Sequence, residues 1–340
     1  MLIYSCRFFK AVLNMVFFIQ KLLSLITPVL MLISFPFFGN IKEKSEPVKP
    51  DECKLNFAAI SDTHMKDEFI RQFMVELGLN GMENSDSRLD ALVVSGDLTD
   101  HGEYDEWTAL AESFSKYDPA DEIVLACGNH DTWTDESFEK AKEHFIEFNS
   151  EISNREITEM YYSTKINGYT FVVLGSETDR TAAYFSPEQL EWLEETMSVA
   201  AQDNLPIFVI SHWPINQSHG LPETWGDDEP EPDDGGIGDE SAAVEAILKK
   251  YDNVFMISGH LHNGIGEKAT EKIWGYTSVE SEGSFHSINL PAYTYFNARG
   301  QVINGNGFNF EVYDDEVIIR ARSYTSDVWY TPYEYVIPLV

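Results

Sequence analysis

The sequence predicts an α/β fold that gives way to a strand-rich C-terminal end, and three observations predict it. Short apolar runs rich in Val, Ile and Phe recur between residues 55 and 258. Each is the length of a buried strand and too short for a helix. Stretches with helical start signals lie between several of them. After about residue 285 those signals stop, and the chain reads as strands and turns (SINLPAYTYF, FNFEVYDDEVIIRARSY, YEYVIPL). Strands alternating with helices are the pattern of an α/β domain.

The N-terminus comes first in chain order. Residues 1–39 hold Arg7, Lys10 and Lys21 and no acidic residue, and residues 22–38 (LLSLITPVLMLISFPFF) carry no charge. A basic start followed by an apolar run reads as an export signal, which puts the rest of the chain outside the cytoplasm, secreted or membrane-anchored. The run falls short of the ~20 residues of a membrane span and is interrupted by Pro28 and Pro36. No A-x-A cleavage site follows, and Met15 is an alternative first residue. A cleaved signal peptide and an uncleaved anchor, with membrane association through residues 22–38, therefore both stay open. Residues 40–54, opening NIKEKSEPVKPDE, are polar with two prolines and read as a linker. Residues 55–340 read as one domain.

The predicted strands are 55–60 (LNFAAI), 91–95 (ALVVS), 122–127 (EIVLAC), 169–174 (YTFVVL), 206–211 (PIFVIS) and 253–258 (NVFMIS). The clearest helix begins at Ser186. Ser186 is placed to cap it, Pro187 takes the first helical position, Gln189 follows three residues after the cap, and Leu190, Leu193 and Met197 space out one apolar face. Residues 226–239 (GDDEPEPDDGGIGD) form an acidic Pro/Gly loop. Such a run is ordinarily a solvated loop; binding calcium or edging a substrate cleft is the functional alternative.

Composition narrows the function. The 340 residues hold 57 acidic and 23 basic side chains, a net charge of −34. A surface this acidic repels phosphate backbones and excludes non-specific nucleic-acid binding. An anionic substrate would need a local positive centre. Aromatic residues at 13% and apolar residues at 43% exclude wholesale disorder. Cys6, Cys53 and Cys127 make no disulfide framework and no zinc-type spacing.

Five of the six apolar runs lead into residues that ligate metals. Run 55–60 leads to Asp62-Thr63-His64, run 91–95 to Gly96-Asp97, and run 122–127 to Gly128-Asn129-His130-Asp131. Run 206–211 leads to His212, and run 253–258 to Gly259-His260-Leu261-His262. In open α/β sheets ligands bind beyond the carboxyl ends of the strands, so these clusters are expected to converge. Five of the nine histidines fall in them. Carboxylate oxygen and imidazole nitrogen suit divalent Mn, Fe or Zn. Seven ligands exceed what one ion with an open position needs; they suit two ions that share a bridge and clamp an in-line displacement at phosphorus. Glycine before Asp97, Asn129 and His260 is expected to let the backbone turn sharply. Each cluster alone has a bland reading. Asp62-Thr63-His64 is ordinarily a turn with a solvated acid, His212 a core histidine, and Asn129-His130-Asp131 a hydrogen-bonded turn. It is the set, in order and at strand ends, that carries the inference.

In that order (D-x-H, G-D, G-N-H-D, H, G-H-x-H) the sequence resembles the calcineurin-like metallophosphoesterase superfamily from about Leu55 to His262. The resemblance implies a four-layer α/β/β/α sandwich. It implies two divalent metal ions, one on Asp62, His64 and His262, the other on Asn129, His212 and His260, with Asp97 bridging. It makes His130 the non-ligand histidine beside the leaving group and Asp131 its orienting partner. It implies hydrolysis of a small-molecule phosphate ester by a hydroxide held between the ions. Asp100 stands where a purple acid phosphatase would have Tyr, and His101 stands where a protein Ser/Thr phosphatase would have a phosphate-gripping Arg. About 80 residues follow His262, short of a 5′-nucleotidase's second domain. The remaining likeness is to bacterial exported phosphodiesterases similar to those acting on cyclic nucleotides. A phosphomonoesterase or lipid head-group phosphatase, and a non-catalytic exported metal-binding protein, are the alternatives. Trp213, Trp225 and Trp274 read as packing residues, with base stacking the functional alternative. His219 and His286 lack motif context and read as surface or core residues. The oligomeric state is not legible.

Overall fold

All six apolar runs form strands in the computed structural model, which describes residues 52–134, 137–178, 183–219, 235–262, 264–265, 277–294 and 305–340. They are β1 (Leu55–Ile60), β2 (Ala91–Ser95), β3 (Glu122–Ala126), β5 (Tyr169–Val173), β6 (Ile207–Ile210) and β7 (Val254–Ser258). Between them lie α1 (Phe69–Glu83), α2 (Tyr104–Phe114), α3 (Phe138–Ser153), α4 (Pro187–Ala200) and α5 (Ser241–Leu248). The strand-rich end supplies β8 (Val279–Glu282), β9 (Phe285–Asn289), β10 (Asn306–Val312), β11 (Glu316–Ser323) and β12 (Val328–Pro338). The segment 1–51, Trp225, Trp274 and residues 226–234 of the acidic loop lie outside the described residues. No helix among the described residues is long and apolar enough to cross a membrane.

Two six-stranded sheets result. The first has the order β12-β11-β10-β1-β2-β3; the second, with β4 (Tyr162–Ile166) at its edge, has the order β4-β5-β6-β7-β9-β8. β1, β2 and β3 run parallel, as do β5, β6, β7 and β9. The carboxyl ends of each parallel set therefore share one edge of its sheet.

Alternation along β1 assigns the layers. Phe57 and Ala59 join the apolar cluster between the sheets, which also takes Phe171, Phe208, Phe255, Phe308 and Phe310. Ala58 and Ile60 face the other way, onto α1–α3 through Val75, Leu79, Trp107, Leu110 and Phe145. The second sheet is covered on its outer face by α4 and α5 through Leu193, Met197, Val244 and Leu248. This is the four-layer α/β/β/α order. The central layer is aromatic: Phe57 stacks on Phe310 with centroids 4.6 Å apart and meets Phe208 edge-on at 4.9 Å. Burying each such ring contributes about 1.5–3 kcal/mol, so the sheets are held face to face firmly enough for their edges to share a site.

Two local features differ from the sequence reading. β4 (Tyr162–Ile166), a half-exposed edge strand, was not among the predicted strands. It joins β5 through Asn167-Gly168, both at positive φ (49° and 90°), a two-residue hairpin turn. At α4 the Ser186 hydroxyl accepts from the Gln189 N–H at 3.2 Å, as a cap should. The Gln189 side chain, however, is buried and bonds the Gly175 main chain and Glu177 instead of returning to Ser186.

Candidate metal centre

The loops at the carboxyl ends of β1, β2, β3, β6 and β7 meet at one place and bury their polar residues there. Asp62, His64, Asp97, His212 and His260 are all buried, and Asn129 nearly so. Asp62, His64, Asp97, His260 and His262 take left-handed backbone torsions, φ from 42° to 70°. Non-glycine residues adopt this region at a cost of order 1–3 kcal/mol each, and such residues cluster at functional sites. Gly96 sits at φ 88°, and a Cβ there would lie 2.5 Å from His212 Nδ1. Gly128 does something different from the turn expected of it: a Cβ there would collide with Asp97, so its role is close approach.

The side chains form two groups that share one carboxylate. Asp62, His64, Asp97 and His262 make the first; Asp97, His212 and His260 make the second. In the first, Nε2 of His64 is 3.1 Å from Nε2 of His262, 3.6 Å from Asp97 Oδ2 and 3.9 Å from Asp62 Oδ1. His262 Nε2 is 3.1 Å from Asp62 Oδ1. In the second, His212 Nε2 is 3.3 Å from Asp97 Oδ1 and 3.2 Å from His260 Nδ1. Asp97 thus turns one oxygen to each group.

The remaining ring nitrogens orient the rings. His212 Nδ1 is 2.8 Å from the Ser95 carbonyl, which can only accept, so Nδ1 carries a hydrogen and Nε2 is the nitrogen turned to Asp97. His64 Nδ1 lies 3.2 Å from Asp100 Oδ1, an ion-pair distance, with its Nε2 toward Asp97 and Asp62. Ring nitrogens and carboxylates aimed at one another from about 3 Å call for a cation between them, a proton or a metal ion. Asn129 Oδ1, buried with no hydrogen-bond partner, adds another acceptor. The acid–base balance says the same. Burial opposes charge on Asp62, yet the His262 imidazole prevails and holds its carboxyl at about 2. Burial likewise opposes charge on Asp97, and His212 holds it well below the usual carboxylate range. Burial would lower His212, but Asp97 lifts it to about 9. Burial brings His64 down to about 4.

His130 lies beside this centre. Its main-chain N–H donates to Asp97 Oδ1 at 2.9 Å, and its ring stands edge-on to His64 with centroids 4.5 Å apart. Its Nδ1 is 2.7 Å from the Asp100 carbonyl, leaving Nε2 for a substrate. The orienting contact from Asp131 that the resemblance implies is replaced by this one. The Asp131 carboxylate instead accepts from Leu98 N, Thr99 N, Thr99 Oγ1 and Gly128 N, tying the β2 and β3 loops together. Burial, with Asp97 nearby, raises it to about 7.

Asp100 is the residue that sequence reasoning passed over. It was read only as the absence of a tyrosine. Its carboxylate meets His64, Lys66 and His101 Nδ1 (3.1 Å), while its carbonyl holds His130. The available signal was its place three residues after Asp97, one turn of the same loop. Trp213 is buried against His212 and packs with the α4–α5 layer, so it offers no face for stacking. His219 and His286 are both buried, His219 between the Thr277 carbonyl and the Ser287 hydroxyl.

Comparison with known proteins follows from this geometry. In sequence the chain is 27% identical over 188 residues to a probable cyclic nucleotide phosphodiesterase of Rhodococcus erythropolis, a match covering 54% of this chain. The chain spans about half (55%) of that relative's length. In structure it resembles a dimetal phosphatase from Danio rerio, with a TM-score of 0.56 at 13% identity, over 85% of this chain and all of that one. It also resembles a purple acid phosphatase from yellow lupin (Lupinus luteus) seeds, with a TM-score of 0.55 at 14% identity, over 84% of this chain and 53% of the other. At such identities these two likenesses speak for the fold. The model of the calcineurin-like phosphoesterase family matches residues 55–264, more than half of the chain and every strand that feeds the centre. The chain therefore belongs to the calcineurin-like phosphoesterase family.

Proposed function

We propose that the protein is a binuclear metal-dependent phosphodiesterase acting on small-molecule esters. The observation that carries this reading is the placement of Asp97, one oxygen toward Asp62, His64 and His262, the other toward His212 and His260. The donor set fits two divalent ions of the Mn, Fe or Zn kind: nitrogen and oxygen only, ring nitrogens turned to the carboxylates, and an orphaned Asn129 carbonyl oxygen on the same loop as His130. Asp62, His64 and His262 would hold one ion, Asn129, His212 and His260 the other, and Asp97 both. When bound, the ions supply an activated water at neutral pH and neutralise charge on the phosphoryl oxygens.

The chain's own groups do the rest. His130, with Nδ1 committed to the Asp100 carbonyl, presents Nε2 to the departing oxygen and, as imidazolium, gives it a proton. Asp131 fixes the loop that carries His130 and Asn129. Asp100 lies at an ion-pair distance from His64 Nδ1. Preference for diesters is supported by the likeness to the Rhodococcus protein and by the lack of an arginine at position 101 to grip a monoester dianion. The basic-then-apolar start of the chain supports an exported enzyme.

The test is hydrolysis of bis-p-nitrophenyl phosphate and p-nitrophenyl phosphate by the purified chain with added Mn²⁺. Metal-dependent turnover with the diester preferred is expected. Faster turnover of the monoester would replace the diesterase reading with a phosphomonoesterase. No turnover of either, with two ions bound, would leave a binding protein.

A further inference from the structure

We propose that Trp133 forms the subsite for the alcohol portion of the ester and selects leaving groups that carry a flat aromatic or heteroaromatic ring. The proposal deepens the phosphoesterase reading and rests on it.

The starting point is position. Trp133 ends the short 3₁₀ turn His130–Thr132, and its indole is 60% exposed. A lone exposed aromatic is unremarkable in itself, because much of any protein surface is apolar. This one stands against the group assigned to protonate the leaving oxygen: its ring centroid is 4.9 Å from that of His130, at 62°. His130 thus meets the buried centre through Asp97 and His64 and also meets Trp133. A group that departs from phosphorus beside His130 leaves within a ring's length of the indole.

The backbone that carries the indole is also held. The Trp133 main-chain N–H donates to the His130 carbonyl at 3.3 Å, and the next residue, Thr134, donates its hydroxyl to Glu103 Oε1 at 2.9 Å. An exposed ring on a backbone pinned at both sides loses little entropy when a second ring stacks on it. His101 lies nearby, its ring centroid 6.5 Å from that of the indole. Its Nδ1 faces Asp100 Oδ2 at 3.1 Å and Glu106 Oε1 at 3.6 Å, while its side chain is half exposed. Nε2 is therefore the nitrogen that can meet a polar edge. A flat apolar face beside one ring nitrogen matches a heteroaromatic ring better than an aliphatic polyol. Charge favours the same class, because a neutral ring approaches a chain of net charge −34 without the repulsion an anionic substituent would meet.

The experiment compares wild type, Trp133→Ala and Trp133→Phe as metal-loaded full chains. The two esters are bis-p-nitrophenyl phosphate, whose leaving group is a ring, and glycerophosphocholine, whose leaving groups are aliphatic. For the aryl ester, Trp133→Ala should lower kcat/KM about tenfold, chiefly through KM, the scale of losing one ring stack. Trp133→Phe should stay within about threefold of wild type, since a ring remains. For glycerophosphocholine all three should agree. Equal losses on both esters, or none on either, would overturn the subsite. A binding readout needs no turnover: AMP should quench wild-type tryptophan emission more than that of Trp133→Phe. If wild type hydrolyses neither ester, the phosphoesterase reading falls, and the AMP titration still decides the stack. Identical quenching in the two proteins would overturn it.

Discussion

The two sheets contribute unequally to the centre. The first sheet, through β1, β2 and β3, delivers Asp62, His64, Asp97 and Asn129, including every carboxylate of the two groups. The second, through β6 and β7, delivers only imidazoles, His212, His260 and His262. Neither group is complete on one sheet. The difference teaches how an acidic chain can receive an anionic ester. Two carboxylates set against two dications leave a positive centre, and neutral imidazoles complete the coordination without cancelling it. The anionic half of the site is fixed by hydrogen bonds within the first sheet's loops, and the neutral half is brought to it by packing of the aromatic layer.

The largest expected effect removes the residue common to both halves. Asp97→Asn should drop diester hydrolysis to background and reduce bound metal to one ion per chain or none. His260→Ala, confined to the second sheet, should keep the ion of the Asp62 group. Metal analysis of the two purified variants makes the comparison, and two tightly held ions in Asp97→Asn would break it. Next in size, His130→Ala lies on the first sheet but outside both groups. It should keep both ions and lose about 10²–10⁴-fold in kcat, the scale of general-acid removal. The loss should shrink for p-nitrophenol, whose oxygen needs little protonation; equal losses for good and poor leaving groups would take the acid's role from His130.

A third expectation separates the halves by pH in the metal-free chain. Asp97 lifts His212 to about 9, against an ordinary value of 6.5. A raised histidine contributes stability that is fully present below its unfolded value and is lost as pH rises through the folded one. The metal-free chain should therefore lose stability as pH rises from 6.5 to 9, read from urea midpoints. The metal-loaded chain should not show this loss, because the ion holds the place of that proton. A flat profile for the metal-free chain would mean that the two sheets meet without an Asp97–His212 ion pair. Smallest is Gly96→Ala, at φ 88° with His212 2.5 Å from the added Cβ. It should cost about 1–3 kcal/mol and weaken the second group's ion before the first's. Unchanged stability would show that the seam between the sheets is looser than the contact distances indicate.

The strand runs were legible because strands buried on both faces read as continuous apolar stretches. β4 was not, because its YSTKI alternates at a half-exposed edge; the Asn167-Gly168 turn was its one clear mark. The metal-ligating types were legible as strand-end clusters, and the structure brings His64, Asp97, His212, His260 and the others together. The partners of Asp131 and Asp100 were not legible. A carboxylate that ties two loops and one that pairs with a histidine look alike in a sequence, and only the approach of the β2 and β3 loops distinguishes them. Trp133 gave no periodic signal, since one exposed ring at the end of a turn belongs to no pattern.

The strand that carries Asp62 and His64 lies between β2 and β10, with Leu55 opposite Val312. During synthesis β1 and β2 leave the ribosome before any of the other strands, and β10 follows only after every ligand-bearing loop. Pairing so distant in sequence is slow and comes late. Until then the ligand loop after β1 hangs from a strand with one neighbour. A polypeptide interrupted before β10 contains all seven candidate ligands and still lacks one of the two strands that flank β1. Assembly of the centre thus waits on a strand made after every one of its ligand loops.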